Sequence, residues 1–306
     1  MKLFNTLSLE ITSWCNRKCK FCPVAYNTRP KHRMKVDILD DAAVELASIR
    51  YRGRVEFYIY NEPCAEFSWL LECVSKFRKM VPNSCLMIAT NGDYIQGPKE
   101  IESMFDAGLN QILINCYSKG LYARRKKDWL STISDSIKLN RSVYQRLPPS
   151  SKSIEILDKS VVETFGTGIF RLANRAGNIS EFIPSLKVPA KRMCVKPFRI
   201  LNIDCNGNAL VCCQDYHADM SYGNLKTETL VDLWNHNVMN TYRRNLLAKD
   251  RSMPLCKHCD CTAGAYSYNV PAPDGKVVSK LTLLEMFHKR KIKRTKNPGA
   301  VNTGIQ

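Results

Sequence analysis

The feature that most constrains this chain is a cluster of three cysteines near its start, in the run Ser13-Trp14-Cys15-Asn16-Arg17-Lys18-Cys19-Lys20-Phe21-Cys22-Pro23. Three thiolates on one short loop can hold three irons of a [4Fe–4S] cube and leave the fourth iron without a protein ligand. An open metal position is what a catalytic centre needs, because a substrate or cofactor must bind there. A structural zinc site, the alternative, would want a fourth ligand close by, and the local candidate is His32.

The rest of the first two thirds alternates short apolar runs with amphipathic stretches. Strands are predicted over residues 7–12, 55–60, 85–90, 111–115 and 153–157, and helices over 40–49, 67–80, 99–107 and about 130–144. Such alternation argues for a parallel sheet wrapped by helices, with strands apolar on both faces. The cysteine loop then follows the first strand, where active residues of parallel sheets gather. From about residue 187 the pattern changes. Strand-like pieces over 198–203 and 209–212 flank an Asn206-Gly207 turn, a hairpin signal. A helix is predicted over 230–247, followed by the pair Cys256 and Cys259. The tail beyond Val270 carries eight Lys/Arg against two acidic residues, and its basic amphipathic stretch reads as a surface extension.

The cysteine triplet, with Phe21 before its last member, resembles the signature of the radical S-adenosylmethionine (SAM) superfamily. The resemblance implies an α/β fold, a partial (β/α)6 TIM-like barrel over residues 1–186. It implies that SAM chelates the open iron, that an external flavodoxin- or ferredoxin-like donor reduces the cluster, and that a 5′-deoxyadenosyl radical abstracts hydrogen from a carbon. It also implies SAM contacts at the ends of successive strands. Glu62 stands in the place of the motif that binds the SAM amino group, Thr90 and Asn91 near the ribose or carboxylate, and Asn115 near the ribose. Arg175, in Asn174-Arg175-Ala176-Gly177, is a candidate contact to SAM or substrate. Each of these is also ordinary turn chemistry taken alone.

A second set, Cys194, Cys212, Cys256 and Cys259, lies downstream. With the runs 212–216, 222–225, 230–235 and 254–259 it resembles a shortened SPASM or "twitch" domain, assigned to residues 187–270 with a basic extension over 271–306. The resemblance implies one auxiliary [4Fe–4S] cluster that moves electrons. A zinc ribbon is the alternative, and spacing leaves open whether Cys213 or Cys261 replaces a neighbour as ligand. Of the remaining cysteines, Cys116 and Cys213 are candidate hydrogen-atom donors to a product radical, and most of the others read as small apolar core residues.

The chain has 306 residues and fourteen cysteines. Clustered cysteines with no secretory signal at the start point to metal rather than disulfides, and a cytoplasmic protein is expected. No apolar run has the length of a membrane span, so no membrane partner is expected. The formal charge is +18. Such a balance attracts anions. It favours an anionic substrate, and the reading first in line is a modified base in DNA or a nucleotide, isomerised or rearranged as in viral thymidine hypermodification. Lys119, Arg124, Arg125, Lys126 and Lys127 interleaved with Tyr117, Tyr122 and Trp129 suit phosphate neutralisation beside base stacking. The alternatives are crosslinking or epimerisation of a peptide, and oxidation of a sugar or aminocyclitol.

Overall fold

The structure, a computed structural model, describes residues 3–26, 29–118, 137–139, 151–158, 173–261, 270–271 and 277–278. Its centre is one nine-stranded sheet in the order β5-β6-β4-β3-β2-β1-β7-β8-β9. The strands are β1 (Thr6–Leu9), β2 (Arg54–Glu56), β3 (Cys85–Thr90), β4 (Gln111–Cys116), β5 (Ile137–Leu139), β6 (Lys152–Asp158), β7 (Ile200–Ile203), β8 (Asn208–Leu210) and β9 (Ser221–Asn224). Strands β1 to β7 pair in parallel, and β8 and β9 close the edge antiparallel. Helices α1 (Val36–Ser48), α2 (Phe67–Met80) and α3 (Pro98–Asp106) cross between the parallel strands, while α4 (Leu230–Asn235) and α5 (Asn237–Leu247) follow the hairpins. A short antiparallel pair joins Val270–Pro271 to Val277–Val278. This is the partial barrel the sequence suggested.

Side chains alternate across each strand, so the sheet has two unlike faces. Leu7, Leu9, Val55, Leu86, Ile88, Ile112, Ile114, Leu201 and Ile203 are fully buried in one core with Ile38, Leu39 and Leu46 of α1 and Leu70, Val74 and Phe77 of α2. Each such side chain contributes roughly 1.5–3 kcal/mol by leaving water. The opposite face carries Ser8, Glu56, Asn115 and Asn202, all buried or half-buried and all lining an internal cavity. Near-continuous apolar runs led to an expectation of two apolar faces. The inner face is instead mixed, because it forms the barrel lumen.

Four details depart from the sequence reading. Strand β2 ends at Glu56, since the Asn61 side chain takes the Ile59 N–H (3.0 Å) and donates to Thr12 Oγ1 (3.1 Å), bending the chain out of the ladder. The helix expected over 130–144 has a strand within it, Ile137–Leu139, paired with β6, and the rest of that stretch lies outside the described residues. The helix expected over 230–247 breaks at His236, whose extended ψ of 144° ends α4 and whose Nδ1 accepts the Val238 N–H (3.3 Å) to start α5. The sheet also runs on through the boundary expected near residue 187, because β7 pairs with β1 from Thr6↔Ile200 to Leu9↔Ile203.

A further contact locks the later segment to the barrel. The Glu45 carboxylate of α1 accepts the Leu230 N–H (2.5 Å) and the Val231 N–H (3.0 Å), capping α4 from outside. In the β7–β8 turn, Gly207 adopts a φ of 86°, the left-handed geometry that glycine takes without strain. Among the described residues no helix is long and apolar enough to cross a membrane.

Gly53, ahead of β2, has no room for a side chain. An added Cβ would stand 2.1 Å from Tyr51 Oη and 2.6 Å from the Asn5 carbonyl oxygen. Gly53→Ala is therefore expected to cost about 1–3 kcal/mol through overpacking. Urea denaturation followed by circular dichroism would read this as a lower midpoint.

Candidate functional site

The loop after β1 is held open from three sides. The Cys22 N–H returns to the Cys19 carbonyl (2.8 Å), and the Arg17 N–H points at Cys15 Sγ (3.4 Å). The Glu62 N–H donates to the Trp14 carbonyl (2.9 Å), tying the loop to the end of β2. Asn91, after β3, approaches Cys15 Sγ with Nδ2 (3.7 Å) and donates from the same nitrogen to Asn16 Oδ1 (2.8 Å). Arg17 makes a two-pronged ion pair with Asp93, with both contacts at 2.6 Å. Burial pushes the Cys15 thiol up to about 11, so in the metal-free protein it is protonated and metal binding must release its proton.

Glu62 is the knot of this region. Its Oε1 accepts the Cys64 N–H (3.0 Å) and the Thr90 hydroxyl (2.6 Å), and its Oε2 accepts the Asn91 N–H (2.7 Å). Burial pushes its carboxyl up, and the three donors pull it back. Gly92 follows at a φ of 75°, turning the chain back over the site.

A cavity of about 460 Å³ lies over the strand ends. Cys15, Cys19, Phe21 and Cys22 line it from the loop, and Glu62, Thr90, Asn91, Asn115, Arg175 and Cys213 from elsewhere. The site residues read from the barrel part of the sequence thus share one cavity, with one difference. Cys116 is fully buried in the apolar core, because it lies one residue past Asn115 and its side chain falls on the helix-facing side of β4. His32 is engaged elsewhere, with Nε2 against Asn206 Oδ1 (3.0 Å) and Nδ1 against the Pro30 carbonyl (2.9 Å).

Sequence reasoning missed the inner face: Ser8, Tyr58, Glu56, Tyr60, Asn202 and Gln214 also line the cavity. Four polar atoms there, Tyr60 Oη, Asn115 Oδ1, Asn202 Oδ1 and Gln214 Oε1, are buried with no hydrogen-bond partner. Ser8 Oγ donates to Glu56 Oε2 (3.0 Å), while Glu56 Oε1 faces Arg54 at 3.5 Å. Period-two alternation in β1 and β7 was the available signal, since Ser8 and Asn202 are the polar members between apolar neighbours.

The second cysteine set surrounds a separate, much smaller cavity. Cys194, Cys212, Cys256, Cys259 and Cys261 line it together with Lys196, Gln214 and Arg251. Cys212 faces this cavity and its neighbour Cys213 faces the larger one. Arg251 is almost fully buried and donates to the carbonyls of Arg192 (3.0 Å), Met193 (3.3 Å), Cys259 (3.3 Å) and Cys261 (3.1 Å). It therefore clamps two of the three chain segments that carry the thiols. Asn174, fully buried, does the same between the sites. Its Nδ2 donates to the His258 carbonyl (2.7 Å), its Oδ1 accepts the Ala176 N–H (3.1 Å), and its N–H reaches Asp260 Oδ1 (2.7 Å). The next two residues, Arg175 and Ala176, take left-handed φ values of 51° and 57°, costly for residues with a Cβ. That turn aims Arg175 Nε at the Phe21 carbonyl at 3.5 Å.

Among the described residues no three His, Cys, Asp or Glu side chains are arranged to hold one metal ion. The donor chemistry fits iron–sulfur clusters: four thiols border the large cavity, three of them on one loop, beside polar atoms left without partners, and five border the small one.

Comparison with known proteins supplies three findings. The iron–sulfur cluster-binding SPASM domain matches residues 194–260. The S-adenosyl-L-methionine-dependent 2-deoxy-scyllo-inosamine dehydrogenase of Niallia circulans is 25% identical over 264 residues, covering 85% of this chain and 94% of that protein. The crystal structure of BtrN in complex with AdoMet and 2-DOIA superposes with a TM-score of 0.67 at 22% identity, covering 90% of this chain and 99% of that one, and an open conformation of BtrN superposes with 0.59 at 20% identity, covering 92% and 98%.

Replacing Glu62 by Ala removes the acceptor for three buried donors. It is expected to cost about 2–6 kcal/mol in the metal-free protein, at about 1–3 kcal/mol for each of the unsatisfied Asn91 and Cys64 amides. It should also weaken SAM binding at least tenfold. Thermal unfolding and equilibrium dialysis with labelled SAM check the two effects.

Proposed function

We propose that this chain, a radical SAM enzyme with a SPASM domain, oxidises a carbinol carbon of a small polyhydroxylated molecule, a cyclitol or aminocyclitol, to a ketone. The observation that carries the reading is the set of four unpartnered polar atoms in one cavity, on Tyr60, Asn115, Asn202 and Gln214. Each buried orphan costs about 1–3 kcal/mol, and three of the four are oxygen acceptors that hydroxyl or amino donors would satisfy. Support comes also from the Niallia circulans relative, whose name gives 2-deoxy-scyllo-inosamine as its substrate.

Cys15, Cys19 and Cys22 would hold the SAM-binding [4Fe–4S] cluster, and Cys194, Cys212, Cys256 and Cys259 the auxiliary one. When bound, the first cluster with SAM supplies hydrogen-atom abstraction and the second accepts one electron. The residues of the chain do the rest. Phe21 and Tyr117, with ring centres 5.1 Å apart, wall the cavity beside the thiols and exclude water. Glu62 fixes Thr90 and Asn91, so the SAM contacts at the ends of β2 and β3 stay in register. Asn202, Tyr60 and Gln214 orient the substrate hydroxyls, and Asn115 would meet the SAM ribose.

Carbinol oxidation removes a hydrogen atom from carbon, a proton from oxygen and one electron. Glu56 would take the proton: it lines the cavity, and burial pushes its carboxyl up against the pull of Arg54 and Ser8, which makes it a stronger base. The source of the starting electron is an external flavodoxin- or ferredoxin-like donor.

The nucleic-acid reading keeps one supporting observation, the charge of +18. Its basic runs, Lys119 to Lys127 and Lys289 to Arg294, lie outside the described residues. The cavity must hold SAM as well as the substrate, which favours a small molecule over a peptide.

Reduced enzyme incubated with carbinol-deuterated aminocyclitols is expected to give deuterium in 5′-deoxyadenosine and one ketone per 5′-deoxyadenosine. Deuterium transfer without a ketone would refute dehydrogenation in favour of isomerisation. No transfer from any cyclitol, with a salt-sensitive DNA shift, would favour the nucleic-acid reading.

A further inference from the structure

Two cavities, each bordered by its own cysteine set, share a wall, and the charged side chain in that wall is Lys196. It lines both the small cavity and the large one. Its position is built, since it opens a short 3-10 turn, Lys196–Phe198, only two residues beyond Cys194. Phe198 beneath it is fully buried, and the Pro197 carbonyl accepts from Arg243 Nε at 2.9 Å. Lys196 Nζ then lies 3.3 Å from Cys213 Sγ, on the substrate side of the wall.

The charges around the small cavity are one-sided. No aspartate or glutamate is among its lining residues; the cations are Lys196 and Arg251. The Arg251 guanidinium is committed to four backbone carbonyls. The Lys196 ammonium has no such set of acceptors; its contact is Cys213 Sγ. A cluster bound by four thiolates is a net anion, and gaining an electron makes it more so. In a buried setting a nearby fixed positive charge stabilises the reduced form more than the oxidised one. The same lever, local charge and hydrogen bonding around the sulfurs, sets iron–sulfur potentials in general.

We infer that Lys196 is a positioning residue for electron transfer: its ammonium, fixed between the two cavities, raises the reduction potential of the auxiliary cluster so that this cluster can accept an electron from substrate held on the other side. The inference rests on the reading that Cys194, Cys212, Cys256 and Cys259 hold a cluster. It assigns Lys196 no part in binding iron or in hydrogen abstraction.

The test uses the full chain, reconstituted anaerobically, in a background where Cys15, Cys19 and Cys22 are all replaced by Ala so that only the auxiliary cluster contributes. Its midpoint potential is read by redox titration with electron paramagnetic resonance, and iron is measured on the same samples. Lys196→Met is expected to shift the midpoint to lower potential, and Lys196→Arg to restore it toward the parent value. Lys196→Gln keeps a donor to Cys213 without the charge and should behave as Lys196→Met does, so it reads the same quantity if Lys196→Met fails to retain iron. Unchanged midpoints in the neutral variants, with iron retained, would overturn the inference while leaving the cluster assignment intact. A triple-cysteine background that carries no iron would instead overturn the assignment on which the inference rests.

Discussion

The Glu62 carboxylate is the interaction on which the candidate site depends. Two of its three acceptor contacts join the turn after β2 to the end of β3, the third holds the Cys64 N–H of its own turn, and its own N–H fixes the cysteine loop through Trp14. Strand ends in a parallel sheet otherwise splay into independent loops. Here one buried acid gives three of them a common origin. The cost of burying it is visible in the upward push on its carboxyl, and the donors that surround it offset that cost. The consequence is functional: the thiols after β1 and the polar groups after β3 meet in one cavity at fixed spacing.

The two cysteine sets are coupled by the same kind of physics. Strand β7 pairs directly with β1, so the segment leading into the second set grows out of the strand leading into the first. Asn174 ties the Arg175 turn to the loop of His258 and Asp260, and Glu45 caps α4 from the barrel side. None of these contacts is apolar burial. Each pairs buried or half-buried polar groups, which fixes orientation more sharply than packing alone does. That precision suits a site that must hold SAM and a substrate in a fixed relation.

Much of this could be read in the sequence where the signal was local. Helix α2 and strand β3 fall on the residues their periodicity predicts, and the cysteine triplet, Glu62, Thr90, Asn91 and Asn115 reach the same cavity in chain order. What escaped was non-local or lay in isolated polar residues. Pairing of β7 with β1 joins positions nearly two hundred residues apart, and no pattern within either strand announces it. Ser8, Glu56 and Asn202 are isolated polar residues in strands read as apolar on both faces, and only closure of the barrel gives them a lumen to line. Cys116 was misplaced for the same reason in reverse: one step along β4 moves a side chain from the lumen to the core. Cys212 and Cys213 face different cavities, a difference of side-chain direction that spacing does not carry.

The central claim is that two separate cysteine sets hold two clusters on either side of one wall. Iron and sulfide analysis of the anaerobically purified chain, beside the variant in which Cys15, Cys19 and Cys22 are replaced by Ala, tests it most directly. The account predicts about eight iron and eight sulfide per chain for the parent, and about four of each for the variant. A parent carrying about four iron, or zinc in place of iron at the second set, would contradict it.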